Sequence, residues 1–275
     1  MSRQQTILIT GSTDGIGLET AKVLSSQGHK ILLHGRNSDK LKAAQKRVAG
    51  QSGGGQTEAF LADLSRMDEV ERLAREISSS HVKLDVLINN AGILRGSDTY
   101  TDEGLDVRFA VNTFAPYLLT RRLLPLLGPV ARVVNLSSAA QSSVDLDALA
   151  GKKEITDQLK AYAQSKLALT QWTSYMANSM AGDSQVFVSV NPGSLLATKM
   201  VKEGFGVAGK DIHIGSDILI RAALSDEFAK ASGKYFDNDS GQFAAPHRDA
   251  LDAGKTEKVV EVIEAVLTHS GYSLS

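Results

Sequence analysis

A doubly wound α/β domain, a parallel sheet with helices on both faces, is the fold this sequence predicts. Three observations predict it. Short apolar runs alternate with longer stretches of helical period along the whole chain. Most of these runs are continuously apolar, as strands buried on both faces are, rather than alternately apolar and polar. The first run passes directly into a glycine-rich turn that opens a helix. With 275 residues, 42% of them apolar, the chain can bury a full core in one domain spanning residues 1–275.

The elements follow in order. Thr6-Ile7-Leu8-Ile9 is the first strand, bounded by polar residues before it and by Gly11 after it. Ile16, Ala21, Val23 and Leu24 then sit among polar residues as far as Gly28, a helix with a glycine stop. The alternation repeats as strand 30–34, helix 39–49, strand 58–61, helix 67–78 and strand 84–89. A helix near 112–127, a strand at 132–136, a long helix at 155–181 and a strand at 186–191 come next. The tail adds a helix near 212–224, a short strand at 234–236 and a helix at 256–268. Stretches 50–56, 142–154 and 194–210 interrupt the rhythm. The first, with Gly53-Gly54-Gly55, reads as a surface loop. The other two follow strands, on the side where open α/β sheets place their ligand crevice, and 194–215 is expected to cover a substrate.

Composition excludes several functions. Thirty Lys+Arg against 31 Asp+Glu leave a net charge of −1, with no electrostatic reach toward nucleic acid or acidic membranes. Zero cysteine removes disulfides, thiolate zinc sites, Fe–S clusters and Cys nucleophiles together. Six histidines without paired ligand spacing make a metal unexpected. No run of about 18 apolar residues is present, so no membrane span is expected. With no leader-like amino terminus, the expected location is cytoplasmic. Residues 204–211 nearly spell a phosphate loop, but Asp211 stands where Mg²⁺ needs a hydroxyl and no strand precedes it. Residues 237–241 suggest a calcium loop, but its closing Glu falls at Arg248, so the segment reads as an acidic turn.

After the first strand comes Thr10-Gly11-Ser12-Thr13-Asp14-Gly15-Ile16-Gly17-Leu18. Glycines 11, 15 and 17 permit a tight turn and close backbone approach, and the helix that follows presents free N–H groups and partial positive charge. A diphosphate is the natural occupant, so Gly11, Ser12, Thr13, Gly15, Ile16 and Gly17 are candidate cofactor contacts. The second strand runs into His34-Gly35-Arg36-Asn37 with no carboxylate before Asp39. A ribose 2′-hydroxyl would call for an acid there, whereas Arg36 offers a charged planar fork suited to a 2′-phosphate. NADP(H) is therefore favoured over NAD(H), with Asp14 as a negative charge pulling the other way.

Tyr162 and Lys166 lie four residues apart on a predicted helix and so share a face. A tyrosine with its ordinary pKa near 10 transfers protons at neutral pH only when cations favour the phenolate, which a neighbouring Lys would do. The strand at 132–136 delivers Ser137 and Ser138 to the crevice, and the strand at 84–89 delivers Asn89-Asn90-Ala91-Gly92.

On these residues the sequence resembles the short-chain dehydrogenase/reductase family over nearly its whole length. Thr10–Gly17 matches the family's Thr-Gly-x-x-x-Gly-x-Gly turn, Asn89–Gly92 its Asn-Asn-Ala-Gly, and Tyr162–Lys166 its Tyr-x-x-x-Lys. Asn112 resembles its helix asparagine, Ser138 its serine, and Pro192-Gly193 its post-strand pair. The resemblance implies a Rossmann fold and an NAD(P)-dependent oxidoreductase acting on a carbonyl or alcohol. It implies Tyr162 as general acid/base, Lys166 lowering its pKa and holding the nicotinamide ribose, Ser138 orienting the substrate carbonyl, and Asn112 holding a water beside Lys166. Ser137 is the competing serine. Asp63 and Leu64 match the adenine contact, Asn90, Ala91 and Gly92 the adenosine side, and Pro192, Gly193 and Thr198 the nicotinamide side.

Two departures stand out. Ser138 and Tyr162 are 24 residues apart, about a dozen more than is usual. The extra residues resemble the insertion of the retinol-dehydrogenase-like branch, here without that branch's membrane anchor. Thr198 follows Pro192-Gly193 after four intervening residues instead of three. Leu94, Leu195, Met200, Phe205 and Val207 are expected to line or cover the crevice and suggest a partly apolar small-molecule substrate. A homodimer or homotetramer is implied by the resemblance. The alternatives are an NAD-linked alcohol dehydrogenase and a non-catalytic dinucleotide sensor or scaffold on the same fold.

Overall fold

The computed structural model of the chain describes residues 3–96, 98–180 and 184–274, with Phe205 described by its backbone alone. The first half runs β1 (Thr6–Ile9), α1 (Gly15–Ser26), β2 (Lys30–Gly35), α2 (Ser38–Ala49), β3 (Thr57–Leu61), α3 (Met67–Ser80) and β4 (Leu84–Asn89). Then come α4 (Val107–Phe109), a π-helical turn at Ala110–Phe114, α5 (Ala115–Leu123) and β5 (Leu127–Leu136). The second half holds α6 (Leu146–Leu149), α7 (Gln158–Ser179), β6 (Val186–Asn191), α8 (Lys199–Phe205), α9 (His213–Leu224), β7 (Tyr235–Asp237), β8 (Gln242–Ala244) and α10 (Ala253–His269).

The strands form one sheet in the order β3-β2-β1-β4-β5-β6-β7-β8, parallel except for β8, which returns antiparallel beside β7. The order reverses direction between β1 and β4, which opens a crevice beyond their carboxyl ends. The pleat divides each strand between two cores. Leu8 and Phe187 join α3, α5, α7 and α10 on one face, and Ile7, Ile9, Val186 and Val188 join α1, α2 and α9 on the other. Trp172 of α7 is fully buried, edge-on to Tyr117 with ring centroids 5.5 Å apart. The sheet is the doubly wound one predicted, and the differences from the sequence reading are local. β5 begins at Leu127, five residues early, because 128–131 bulge out of register between the Leu84–Leu127 and Val86–Arg132 pairs. The helix expected from 112 begins at Val107, is widened at Ala110–Phe114 and ends before Pro125. The long helix begins at Gln158 because the Asp157 carboxylate accepts the N–H groups of Leu159 and Lys160.

The insertion 142–154 does not lie over the crevice. Asp145 N donates to Oε1 of buried Gln164 at 2.8 Å, and Ser142 N to Ala163 O at 3.3 Å, so the insertion lies along the flank of α7. Ala148 and Leu149 of α6 are buried in the core shared with α10. An apolar pattern inside a polar, glycine-bearing stretch was the signal for a core contribution, and four helical residues are too few for periodicity to announce it.

Candidate functional site

A cavity of about 390 Å³ follows the carboxyl ends of the central strands. Gly11, Thr13, Gly15 and Ile16 form its floor, and Arg36, Lys40, Asp63 and Leu64 line one end. Asn90, Ala91, Gly92, Tyr162, Lys166, Pro192 and Thr198 line the rest.

The glycine turn is built by close approach. Gly11 has φ +64°, and a Cβ there would stand 2.9 Å from Ala91 Cα. The Asn90 amide donates to the carbonyls of Thr10 and Gly11 at 2.9 and 3.0 Å, which ties the end of β4 to the turn. Gly17 serves this packing: a Cβ there would lie 2.4 Å from Asn90 Nδ2, and the residue does not face the cavity. Ser12 also turns away. It is fully buried, and its hydroxyl accepts His34 N at 2.9 Å. Asp14 caps α1 by accepting Gly15 N at 2.8 Å, so its charge has a local use at the helix amino end.

His34 is a residue the sequence reading passed over. It is 3% exposed; Nδ1 accepts Gly11 N at 3.1 Å, and Nε2 meets Ala62 O at 3.0 Å. A ring that accepts at Nδ1 must carry its proton at Nε2, so His34 is neutral, and burial holds its pKa down to about 4. Lys40 was missed as well. A lysine in the first turn of a helix opposes the helix dipole, and that misfit was the available signal.

At the other end the side chains converge. Lys166 is 4% exposed, its Nζ donates to Leu136 O at 2.7 Å, and it lies 5.8 Å from the Tyr162 ring centroid. Ser138, whose hydroxyl accepts Ala140 N at 3.1 Å, lies close enough to the Tyr162 side chain to act on its proton affinity. Ser137 lines the cavity while Ser138 does not, and the Ser137 hydroxyl is committed to Thr170 Oγ1 at 2.7 Å. Burial lowers the Lys166 pKa to about 7. Burial also raises the Tyr162 pKa, against a smaller downward pull from Ser138. For Tyr162 the direction without a bound cation is upward, because desolvation outweighs the pull of Ser138.

Asn112 stands under this pair in the π-helical turn. Its side chain is committed: Oδ1 accepts Ile93 N at 2.8 Å, and Nδ2 donates to Ile93 O and Ser165 Oγ, each at 2.9 Å. Its backbone carbonyl lacks an α-helical partner, since the residue four positions on is Pro116, which has no N–H. Gly92 is tightly packed: a Cβ would lie 3.3 Å from Lys166 Nζ and 3.4 Å from Asn112 Oδ1, so these side chains would have to give by a few tenths of an ångström.

The segment after β6 folds over the cavity. Gly193 has φ +116°, and Leu195 is the one non-glycine residue with positive φ among the described residues, at +55°. Thr198 caps α8 and lies over Gly15, so the longer spacing still delivers it to the cavity. Lys199, Met200, Glu203 and Gly204 of α8 line the rim. Gly204 admits Leu94, whose Cδ2 would be 2.6 Å from a Cβ there, and Arg95 donates to Glu203 O at 3.2 Å. Of the apolar residues expected at the crevice, Leu94 and Met200 line it. Leu195 and Val207 point to solvent instead, 43% and 42% exposed, and the side chain of Phe205 lies outside the described residues. Among the described residues, no metal-competent cluster occurs and no helix is long and apolar enough to cross a membrane.

A sequence model of the family described as short chain dehydrogenase matches residues 5–206. Retinol dehydrogenase 13 of Homo sapiens is 29% identical over 263 residues, covering 89% of this chain and 80% of that one. Polyprenol dehydrogenase of Homo sapiens is 30% identical over 252 residues, covering 84% and 76%. Among solved structures, an uncharacterised protein of Mycobacterium paratuberculosis matches with a TM-score of 0.79 at 27% identity, covering 96% of this chain and 94% of that one. A short chain dehydrogenase of Shigella flexneri 2a, complexed with NADP, matches with a TM-score of 0.66 at 26% identity, covering 85% and 96%.

Proposed function

The chain belongs to the short-chain dehydrogenase family, in its retinol-dehydrogenase-like branch, and from that premise we propose NADP(H)-linked hydride transfer at a carbonyl or secondary-alcohol carbon. The observation that carries this reading is Tyr162 beside Lys166, with Ser138 near enough to act on Tyr162, in the cavity whose floor is the glycine turn.

The residues fit a dinucleotide. Gly11 packs against Ala91 and Gly35 against Thr13, which keeps the turn tight beside β4 and β2; the amino end of α1 faces the turn, and Arg36 and Lys40 line the far end for a 2′-phosphate. The bound cofactor would supply the hydride and, when oxidised, a cationic ring. Tyr162 gives its proton to the substrate oxygen in reduction and takes it back in oxidation. Ser138 orients that oxygen and bears on the Tyr162 hydroxyl. Lys166, with a pKa near neutrality, sits where it can hold the ribose and hand a proton toward Tyr162. The carbonyl of Asn112, without an α-helical partner, is placed to hold a water beside Lys166. The NAD-linked alternative loses support because Asp14 caps α1. A small, partly apolar substrate under the 194–215 segment, a cytoplasmic setting and a homodimer or homotetramer complete the proposal.

The test is NADPH and NADH consumption over a panel of aldehydes and ketones, with wild type and Arg36→Ala. Arg36→Ala should weaken NADPH by about 10–100-fold, the worth of a charge-assisted hydrogen bond, and leave NADH nearly unchanged. Equal losses on both cofactors would overturn the 2′-phosphate assignment, and no turnover on any carbonyl would overturn the substrate class.

A further inference from the structure

The acidic turn at 237–241 meets the loop after β6 through a dense set of hydrogen bonds. Asn191, the last residue of β6, is 2% exposed, and its Nδ2 donates to Asp237 Oδ1 at 2.8 Å and Asp239 Oδ2 at 2.9 Å. Asn238 N donates to Asn191 O at 3.2 Å, and the Asn238 amide donates to Pro192 O at 3.0 Å. Gly193 N donates to Asn191 Oδ1 at 3.3 Å. Ser194 N then donates to Asp239 Oδ1 at 2.8 Å, and Ser194 Oγ to Asp239 Oδ2 at 2.5 Å. One carboxylate thus collects donors from Asn191 and, twice, from Ser194. Only an acceptor-only group can do so, since an amide would turn its own N–H₂ toward one of them.

The next residue is Leu195 at φ +55°, from which the chain turns toward Thr198 over Gly15. Beyond it the neck of the segment is closed by Lys210 N to Leu195 O and Ala197 N to Lys210 O, both 2.7 Å. Pro192 and Thr198, on either side of the fixed stretch, line the cavity at the Tyr162 end. We infer that Asp239 is a positioning residue, its carboxylate holding the Pro192–Thr198 wall at the nicotinamide end of the dinucleotide. This rests on the cofactor reading above.

The experiment measures Kd for two probes, NADP⁺ and 2′-phospho-ADP-ribose, which lacks the nicotinamide, together with the melting temperature of each variant. Asp239→Ala should weaken NADP⁺ about tenfold and 2′-phospho-ADP-ribose less than twofold. Ser194→Ala, which removes only the hydroxyl contact, should weaken NADP⁺ about threefold, and Ser240→Ala in the same turn should change neither. If Asp239→Ala fails to fold, Asp239→Asn and Ser194→Ala carry the test with the same selective loss. Equal weakening of both probes, or none, would overturn the role of Asp239 alone. Wild type that binds neither probe would overturn the cofactor reading and this one with it.

Discussion

The two ends of the crevice are held in opposite ways. At the end that faces Arg36, main chain is bonded to two side chains, buried His34 of β2 and partly buried Asn90 just after β4: His34 joins Gly11 to Ala62, and Asn90 joins the end of β4 to Thr10 and Gly11. At the substrate end, α8 is seven residues long and meets the opposite wall through the Leu94–Gly204 contact and a single Arg95 bond to a backbone carbonyl. One end is over-determined, and the other is fixed at its root near Asp239 and lightly latched at its tip. On the proposed function, the denser bonding lies where the cofactor would fit and the lighter bonding where a substrate would enter.

The comparison can be broken at either end. The largest effect belongs to the shared centre: Tyr162→Phe should lower kcat by roughly 10²–10⁴-fold with NADPH affinity intact, checked by steady-state kinetics beside a binding titration. At the rigid end, acid should unclamp His34. The unfolded chain binds this proton below about pH 6.5 and the folded chain only near 4, so its stabilising effect is full above 6.5 and is lost progressively as pH falls toward 4. The loss should approach about 3 kcal/mol, roughly 10²–10³-fold in the folding equilibrium, read as the difference between wild type and His34→Gln in urea unfolding across that window. A parallel slope in the variant would refute the clamp. Lys40→Ala should weaken NADPH by about threefold and spare NADH, a modest figure because the side chain is solvent-exposed. The smallest effect is expected at the light latch. Gly204→Ala pushes only on the tip of the Leu94 side chain, so it should raise KM for the carbonyl substrate by about two- to fivefold and leave cofactor Kd unchanged. A larger change in cofactor Kd than in KM would show that the tip is not independent of the rigid end.

Much of the nucleotide end was legible because backbone geometry dictates residue type there. Gly11 needs positive φ and no Cβ, and a cation at Arg36 needs no partner to be recognised. The long apolar strands and the Tyr162–Lys166 face of α7 were legible for the same reason, since their chemistry repeats at the spacing of the element that bears it. His34 and Asp239 were not, because each is bonded to residues 20 or more positions away, and Lys40 was not, because only the fold brings its helix end to the cavity. Nor did composition place 142–154, whose Ala148 and Leu149 enter a core assembled from α7 and α10.

The sequence by itself determined the doubly wound sheet, the glycine turn and the order of the candidate site residues, because periodicity and local backbone demands are written within a few residues. Tertiary structure alone decided that the Ser137 hydroxyl pairs with Thr170, that burial shifts Tyr162 up and Lys166 down, and that Asp239 accepts bonds from the loop at Ser194. The physical reason is shared: desolvation and hydrogen-bond partnership depend on which distant segments are packed alongside, and no local spacing records that.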